Sequence, residues 1–174
     1  MRRKDREVTD FSKIIEVVDT CDCFRLGLID DDNLPYIVPL NFGYEVDDGK
    51  LVLYFHGAKV GHKAELLRNT IKVSFEMDCE HELKDAGDNA SAYSYFYASV
   101  MGKGEVTELF SYEDKVKAFK AMMQKYAHRD NFTFPQKAID AVAVYKIAVN
   151  TLTCKVHLTL SSKNYEYILI YLSV

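Results

Sequence analysis

Apolar and polar residues alternate along much of the chain, which is the pattern of β-strands that bury one face. Residues 23–29 and 51–56 alternate in this way, and residues 35–44 form a third extended run. Turn-forming residues separate the three runs, with Asp30-Asp31-Asp32-Asn33 after the first and Asp47-Asp48-Gly49 before the last. The pattern predicts an antiparallel meander of three strands joined by tight turns.

Three segments have instead the period of amphipathic helices. Residues 11–20 follow the candidate caps Thr9 and Asp10, and residues 112–127 follow Ser111, which with Asp114 resembles a capping box. A shorter helix is predicted over residues 60–69. The positions predicted to be buried are Ile14, Ile15, Val17 and Val18 in the first helix, Leu66 and Leu67 in the short one, and Val116, Phe119, Met123 and Tyr126 in the long one.

The remaining apolar runs predict strands over residues 71–77, 93–108 and 141–149. The polar stretch 80–91 predicts a mobile surface loop, and residues 128–135 predict a second loop closed by Pro135. No internal repeat or interdomain linker is evident. We therefore predict one mainly β domain with a few helices.

The composition supports a β-rich soluble protein, since 12 Tyr and 10 Phe occur among 174 residues and aromatic side chains favour strands. The net charge of −4 argues against nucleic-acid binding. No run approaches the about 18 apolar residues of a membrane span, and the basic start lacks the apolar stretch of a secretory signal. Four cysteines are too few for a disulfide scaffold. These features predict a cytoplasmic protein.

Residues 54–67 carry the first candidate binding site. A strand ends at His56, Gly57 allows the backbone to turn, and a helix begins near Gly61. The free N–H groups of a helix start attract anions, so a phosphate there would also compensate the unfavourable position of Lys63 in the first turn. Lys59 and His62 would add positive potential. The alternative is a solvated basic turn, and the spacing alone does not separate the two.

Residues 35–44 carry the second candidate. Pro39 cannot donate a hydrogen bond to a sheet, so a neighbouring strand is not expected to pair there, and free backbone groups could meet the edge of a planar heterocycle. Asn41 adds an amide that both donates and accepts. The alternative is an edge strand with a bulge.

The chain resembles the nitroimidazole-resistance proteins, which belong to the pyridoxamine-phosphate-oxidase-like flavin split barrels. The motifs that carry the resemblance follow one another in order: Arg2-Arg3-Lys4-Asp5-Arg6-Glu7, Arg25-Leu26-Gly27, Pro35-Tyr36-Ile37-Val38-Pro39-Leu40-Asn41-Phe42-Gly43-Tyr44, Leu53-Tyr54-Phe55-His56-Gly57, Gly61-His62-Lys63, Phe75-Glu76 and Tyr97-Ala98-Ser99-Val100-Met101-Gly102-Lys103-Gly104. The resemblance covers residues 1–157, which would form a single flavin-binding domain. Residues 158–174 are an extension whose alternation predicts an added edge strand or a dimer contact.

The resemblance implies an antiparallel split β-barrel that works as a homodimer with FMN in a groove between the subunits. Val38, Pro39, Leu40 and Asn41 would then run along the isoalloxazine ring. Phe55, His56 and Gly57 would approach the ring and the ribityl chain, and Gly61, His62 and Lys63 would hold the phosphate. Ser99 would lie near the cofactor. His56 matches the active-site histidine of the family and is the candidate catalytic residue.

Two functions are compatible with this resemblance. The first is an FMN-dependent oxidoreductase that reduces nitroimidazoles, nitroaromatics or similar small electron-poor compounds by hydride transfer from the flavin. Reduced nicotinamide would bind only transiently, because no Gly-x-Gly-x-x-Gly fingerprint is present. The second is a non-catalytic protein that holds flavin or haem for storage or sensing, with His56 or His62 as an axial ligand.

Cys21-Asp22-Cys23 and Cys79-Glu80-His81 raise the alternative of a zinc site, since thiolate and imidazole are zinc ligands. Neither group has the usual spacing of two to four residues between ligands. Small buried apolar side chains are the more common role of such cysteines. We therefore expect no metal site.

Overall fold

The computed structural model describes residues 2–129 and 131–157, which form eight strands and four helices. The strands are β1 Glu7–Val8, β2 Phe24–Ile29, β3 Pro35–Leu40, β4 Gly43–Asp47, β5 Lys50–Gly57, β6 Lys72–Lys84, β7 Ser94–Leu109 and β8 Ala143–His157. The helices are α1 Phe11–Thr20, α2 His62–Asn69, α3 Tyr112–Ala127 and α4 Gln136–Asp140, with short 3-10 turns at Lys4–Arg6 and Ala90–Ala92. The predicted mainly β, antiparallel fold class is confirmed.

The described residues fall into two compact units. One contains residues 2–21, 77–101 and 153–157, and the other contains residues 22–76 and 102–152, apart from residue 130. The predicted extension over residues 158–174 lies outside the described residues. The boundary of a single domain at residue 157 stays a prediction.

The strand order of the sheet is β3-β2-β6-β7-β8-β5-β4, with β1 paired to β8. Strands β3 and β4 stand at opposite ends of this order, yet only Asn41 and Phe42 separate them in the chain. Three peptide steps span at most about 11 Å, so the two ends of the order must lie close together. The sheet of the second unit is therefore curled.

This arrangement corrects the predicted three-stranded meander. The extended run over residues 35–44 is broken after Leu40, and its halves pair with different strands: β3 with β2, and β4 with β5. The turn at Asp48-Gly49 is correctly predicted, since both residues have positive φ and the register passes directly from Asp47 to Lys50. Strand β3 is an edge strand without a bulge, because its register with β2 is unbroken from Pro35 to Leu40. The prediction that no strand pairs at Pro39 is therefore wrong on one side, since Pro39 is the register partner of Arg25; only the outer edge has no partner among the described strands.

Aromatic side chains dominate the core of the second unit. The ring of Phe24 lies 5.7 Å from those of Phe42 and Phe55 and 6.3 Å from that of Phe75, measured between centroids. Phe55 also stacks on Tyr145 at 5.0 Å. These rings are almost fully shielded from solvent, which explains the high aromatic content of the sequence.

Helices α1 and α3 have the bounds that the sequence predicts. The predicted side-chain caps form at both N-terminal ends. Asp10 accepts a hydrogen bond from the backbone N–H of Ser12, and Ser111 accepts one from that of Asp114. The prediction for α1 is confirmed at Ile14, Val17 and Val18, while Ile15 is only half-buried. Leu66 and Leu67 of α2 are buried as predicted.

The predicted buried face of α3 is wrong by one position. The buried residues are Lys115, Ala118, Met122 and Lys125, whereas Val116, Phe119 and Met123 are half-buried and Tyr126 is exposed. Lys115 donates a hydrogen bond to the carbonyl of Val142 (3.2 Å), and the Lys125 ammonium lies 4.6 Å from the ring centroid of Phe42. The lysine stems thus cover apolar surface while their charged ends find partners.

Two further differences concern strand lengths. β6 continues to Lys84, so the first five of the twelve residues of the predicted loop over residues 80–91 are a strand. β8 continues to His157 rather than ending at residue 149, and α4 occupies part of the region between α3 and β8. In β6 the residues beyond position 79 are mostly polar on both faces, so alternation is weak there. In β8 the alternation does continue through Leu152, Cys154 and Val156. The predicted end at residue 149 follows from the polar run Asn150-Thr151.

Tyr126 holds the short link between β3 and β4. Its hydroxyl accepts a hydrogen bond from the backbone N–H of Phe42 (3.0 Å) and donates one to the carbonyl of Asp22 (2.7 Å). We expect Tyr126→Phe to lower the free energy of unfolding by about 1–3 kcal/mol, since it leaves two backbone groups without this partner. Urea denaturation measures the change. Tyr36→Phe is the control, because no hydrogen bond of its hydroxyl occurs among the described residues; equal losses in both variants would contradict the assignment.

Candidate functional site

The corner between β5 and α2 has the geometry that the sequence predicts for an anion site. β5 ends at Gly57, and α2 begins at His62 with Gly61 as its N-cap. Gly61 has φ 104° and ψ 167°, a conformation that side-chain-bearing residues rarely adopt. Since no side chain caps this helix start, its first N–H groups are free to meet a ligand.

The Lys63 side chain folds back over Gly57. A Cβ atom placed on Gly57 would lie 2.8 Å from the Lys63 Nζ and 3.1 Å from its Cε, so the end of the Lys63 side chain would have to shift if residue 57 carried a side chain. Lys63 is half-buried, and this burial lowers its pKa. Within residues 2–129 and 131–157, no carboxylate forms an ion pair with it. The corner therefore contains a partly desolvated cation without a carboxylate partner in the described part of the chain.

His56 lies at the end of β5 opposite Val144 of β8. Its ring packs against that of Phe119 at 5.3 Å between centroids and keeps access to solvent. Burial, and then the charge of Lys63, lower the pKa of His56 below its ordinary value. This shift favours the neutral imidazole, which can accept a proton.

Strand β3 contributes to the same corner through Tyr36, whose ring meets that of His62 edge-to-face at 4.8 Å. Val38 and Leu40 share the Tyr36 face of the strand and are half-buried, whereas Pro39 is on the opposite, exposed face. Asn41 is exposed in the link that follows. Tyr36 belongs to one of the sequence motifs but was not predicted as a site residue. Its contact with His62 depends on the fold and is not visible in the sequence.

The Phe55 side chain is fully buried between Phe24 and Tyr145. A ligand at the corner could therefore meet only its backbone. The remaining predicted residues of this corner, His56, Gly57, Gly61, His62 and Lys63, all lie in the second unit.

Ser99 lies on β7 in the first unit, where it is half-buried. It lines a cavity of about 240 Å³ together with Met101, Thr153 and Lys155. Sequence reasoning missed Thr153 and Lys155. The available signal was their spacing of two residues on one strand, which places both side chains on the same face.

The described residues contain no group of three or more His, Cys, Asp and Glu side chains that could hold a metal ion. All four cysteines are free thiols, and burial raises the pKa of Cys154 to about 12. His81 pairs with Asp78 at 2.8 Å. No helix in this part of the chain is both long enough and apolar enough to cross a membrane.

The electrostatic coupling within the corner can be measured directly. We expect Lys63→Met to raise the pKa of His56, because removing the nearby positive charge makes the imidazolium less unfavourable. The pKa should stay below the ordinary value, since the burial of His56 remains. An NMR titration of the His56 ring follows the shift, with Lys59→Met as the control. An unchanged pKa in Lys63→Met would show that the two groups do not interact.

The model of the family described as pyridoxamine 5'-phosphate oxidase matches residues 10–156. No curated protein matched the chain. Among solved structures, a candidate 5-nitroimidazole antibiotic resistance protein from Bacteroides thetaiotaomicron is 30% identical, with 86% of each chain covered and a TM-score of 0.74.

Two more distant structures share the fold. The flavocytochrome Anf3 from Azotobacter vinelandii is 17% identical, with 97% of this chain and 77% of that chain covered and a TM-score of 0.73. The FAD- and haem-binding protein from Mycobacterium smegmatis is 16% identical, with 95% and 80% covered and a TM-score of 0.74. Given the family match over residues 10–156 and the 30% identical relative, this chain belongs to the pyridoxamine 5'-phosphate oxidase family and has its split-barrel fold.

Proposed function

We propose that this protein binds FMN and acts as an oxidoreductase on small electron-poor compounds such as nitroimidazoles and other nitroaromatics. Family membership and the 30% identical candidate nitroimidazole-resistance protein support the proposal. Proteins with the same fold can have many different activities, so we base the assignment of a flavin on the corner between β5 and α2.

The observation that carries the proposal is the half-buried Lys63 ammonium, which lies over Gly57 at the start of α2 without an ion-paired carboxylate in the described chain. A buried cation is stable when an anion is near it, and the free N–H groups of the helix start favour an anion at the same place. A terminal phosphate satisfies both. The residues present thus fit the phosphate of FMN.

The same geometry indicates which groups would hold the rest of the molecule. Gly61, His62 and Lys63 would bind the phosphate. The outer edge of β3 has no partner strand among the described residues, so backbone groups between Val38 and Asn41 remain available for the polar edge of a ring system. Pro39 offers only its carbonyl there.

FMN, when bound, supplies reversible two-electron chemistry, and the protein provides binding, orientation and proton handling. The neutral His56 imidazole can take up a proton or hand one on through solvent, because its ring is open to water and its pKa is lowered. Burial, and to a smaller extent the charge of Lys63, lower the pKa of His56 and so favour this neutral form. His56 is our candidate catalytic residue on these grounds.

We also propose that the protein works as a homodimer with the cofactor between subunits. Leu34, just before β3, is 59% exposed, and Ile37, within β3, is 63% exposed. Val60 beside the corner is 76% exposed. Exposed apolar side chains of this size can mark an interaction surface. Size-exclusion chromatography with light scattering tests the dimer; a monomer at micromolar concentration would contradict it.

A second candidate function is non-catalytic binding of flavin or haem for storage or sensing. The flavocytochrome and the FAD- and haem-binding protein with the same fold favour it, as do two solvent-accessible imidazoles, His56 and His62, in one corner. Either imidazole could serve as an axial haem ligand.

The visible spectrum of the purified protein separates the two. A flavin spectrum that reduced nicotinamide bleaches and a nitroimidazole restores supports the oxidoreductase, and His56→Gln should slow the restoration while flavin stays bound. A Soret band supports the haem protein. A protein that takes up neither added FMN nor haem contradicts both functions.

A further inference from the structure

A second candidate site lies in the unit that contains residues 2–21, 77–101 and 153–157. It is the cavity of about 240 Å³ lined by Ser99 and Met101 of β7 and by Thr153 and Lys155 of β8. Ser99 and Met101 are two residues apart on β7, so their side chains lie on the same face of that strand. The same holds for Thr153 and Lys155 on β8, which is the neighbour of β7 in the sheet. At about 30 Å³ per water molecule, the volume suits a small ligand.

Positive charge is concentrated beside this cavity. The Lys155 Nζ lies 5.3 Å from the ring centroid of Tyr97. Burial would raise the pKa of Tyr97, but hydrogen bonding and the positive charges of Lys155 and Arg6 outweigh it and lower the pKa. The Lys155 and Arg6 side chains thus both lie at the Tyr97 hydroxyl and place two positive charges beside the cavity.

The carboxylates of Glu7 and Asp5 do not form an ion pair with Lys155 in the described chain. Glu7 is the register partner of Lys155 on β1, but no ion pair joins the two in the described chain. Asp5 is bound by Arg3, whose guanidinium holds the pKa of that carboxyl at about 2. Among the described residues, Lys155 therefore interacts with the Tyr97 hydroxyl and ring but with no carboxylate, so an anion could join it there.

A hydrogen-bond donor completes the lining. The Ser99 hydroxyl has no partner among the described residues, and the Thr153 hydroxyl makes one long hydrogen bond, 3.4 Å, to the carbonyl of Met101. The Met101 side chain is 56% exposed and offers an apolar wall. One cation, one hydroxyl donor and one apolar wall are the elements that a small organic anion requires.

We propose that this cavity binds the anionic group of a small organic molecule, a carboxylate or a phosphate monoester, with Lys155 as its charge partner and the hydroxyl of Ser99 as a hydrogen-bond donor. The proposal uses no residue of the corner between β5 and α2. It also gives Ser99 a role as an anion ligand instead of a neighbour of a flavin ring.

The test is an NMR titration of the full-length ¹⁵N-labelled protein with benzoate and, separately, with inorganic phosphate, at constant pH and ionic strength. We expect saturable shifts of the amides at residues 97–103 and 151–156. Lys155→Met should weaken binding about tenfold or more, and Ser99→Ala should weaken it to a smaller extent. Lys146→Met, a change of another exposed lysine of β8, should leave the affinity unchanged.

Several outcomes would overturn the proposal: no saturable shift with either anion, equal losses in Lys155→Met and Lys146→Met, or loss of the shifts in Lys63→Met. The last outcome would place the anion at the corner and leave the proposed flavin function intact. If the shifts persist in Lys63→Met while FMN binding is lost, the two sites are separate. Displacement of bound phosphate by FMN but not by riboflavin would identify a cofactor phosphate as the natural occupant, whereas stronger binding of benzoate would identify a small organic acid.

Discussion

We expect Gly43→Ala to lower the free energy of unfolding by about 3 kcal/mol, an overpacking cost at the upper end of the usual range. A Cβ atom at this position would lie 2.5 Å from the carbonyl carbon of Ala121 and 2.7 Å from the Cα of Met122, and closer still to the Met122 nitrogen. These are backbone atoms in the middle of α3, so no side-chain rotation relieves the overlap. Helix α3 would have to move away from β4.

Urea denaturation followed by circular dichroism measures this loss. The matched control is Gly27→Ala in β2, where a Cβ would meet the carbonyl oxygen of Ser74 at an ordinary 3.4 Å. Gly27→Ala should therefore stay close to the parent protein. If Gly43→Ala were as stable as Gly27→Ala, the close approach of α3 to β4 would be incorrect.

Lys63→Met is expected to weaken FMN binding about tenfold to a hundredfold, which is the range for losing one charge-assisted hydrogen bond. Methionine keeps most of the apolar stem that covers Gly57 and removes the charge. Because riboflavin lacks the phosphate, its affinity should change little. The ratio of the two affinities thus isolates the contribution of the phosphate.

Flavin fluorescence quenching measures both affinities. Lys59→Met serves as the control, since this exposed lysine lies in the same corner but its side chain does not reach Gly57. Added salt should reduce the FMN affinity of the parent protein more than that of Lys63→Met. If Lys63→Met weakened riboflavin and FMN equally, Lys63 would not be the phosphate ligand, and the central argument for a flavin would fail.

Local signals predicted most of the secondary structure. The caps at Asp10 and Ser111 and the turn at Asp48-Gly49 depend on residues close in sequence, and their positions were predicted correctly. The break after Leu40 was missed because residues 35–44 look extended throughout. What divides them is the choice of partner strands, which is a property of the whole sheet.

The buried face of α3 was predicted wrongly because it contains two lysines. Hydropathy treats lysine as a surface residue, yet Lys115 and Lys125 bury their stems because a carbonyl and an aromatic ring receive their charged ends. Neither partner is near in sequence: Val142 lies in the segment leading to β8, and Phe42 lies before β4. A pattern read along one helix cannot contain this information.

The corner between β5 and α2 was accessible from the sequence because strand end, glycine and helix start are consecutive. Spacing predicted that Lys63 would be near a helix start, but only the structure shows that it lies over Gly57 and lacks an ion-paired carboxylate in the described chain. The cavity beside Lys155 was not predicted, since it requires two strands that are about 50 residues apart.

The link of two residues between β3 and β4 has a consequence for local opening. Strand β3 cannot swing outward without pulling Phe42 from the core, removing the Tyr126 hydrogen bond and displacing Gly43 from α3. Two strands that share no hydrogen bond are thereby mechanically joined. In hydrogen exchange, the amides of β3 that bond to β2 should therefore be as well protected as the amides of β4 that bond to β5, because these two end strands can open only together.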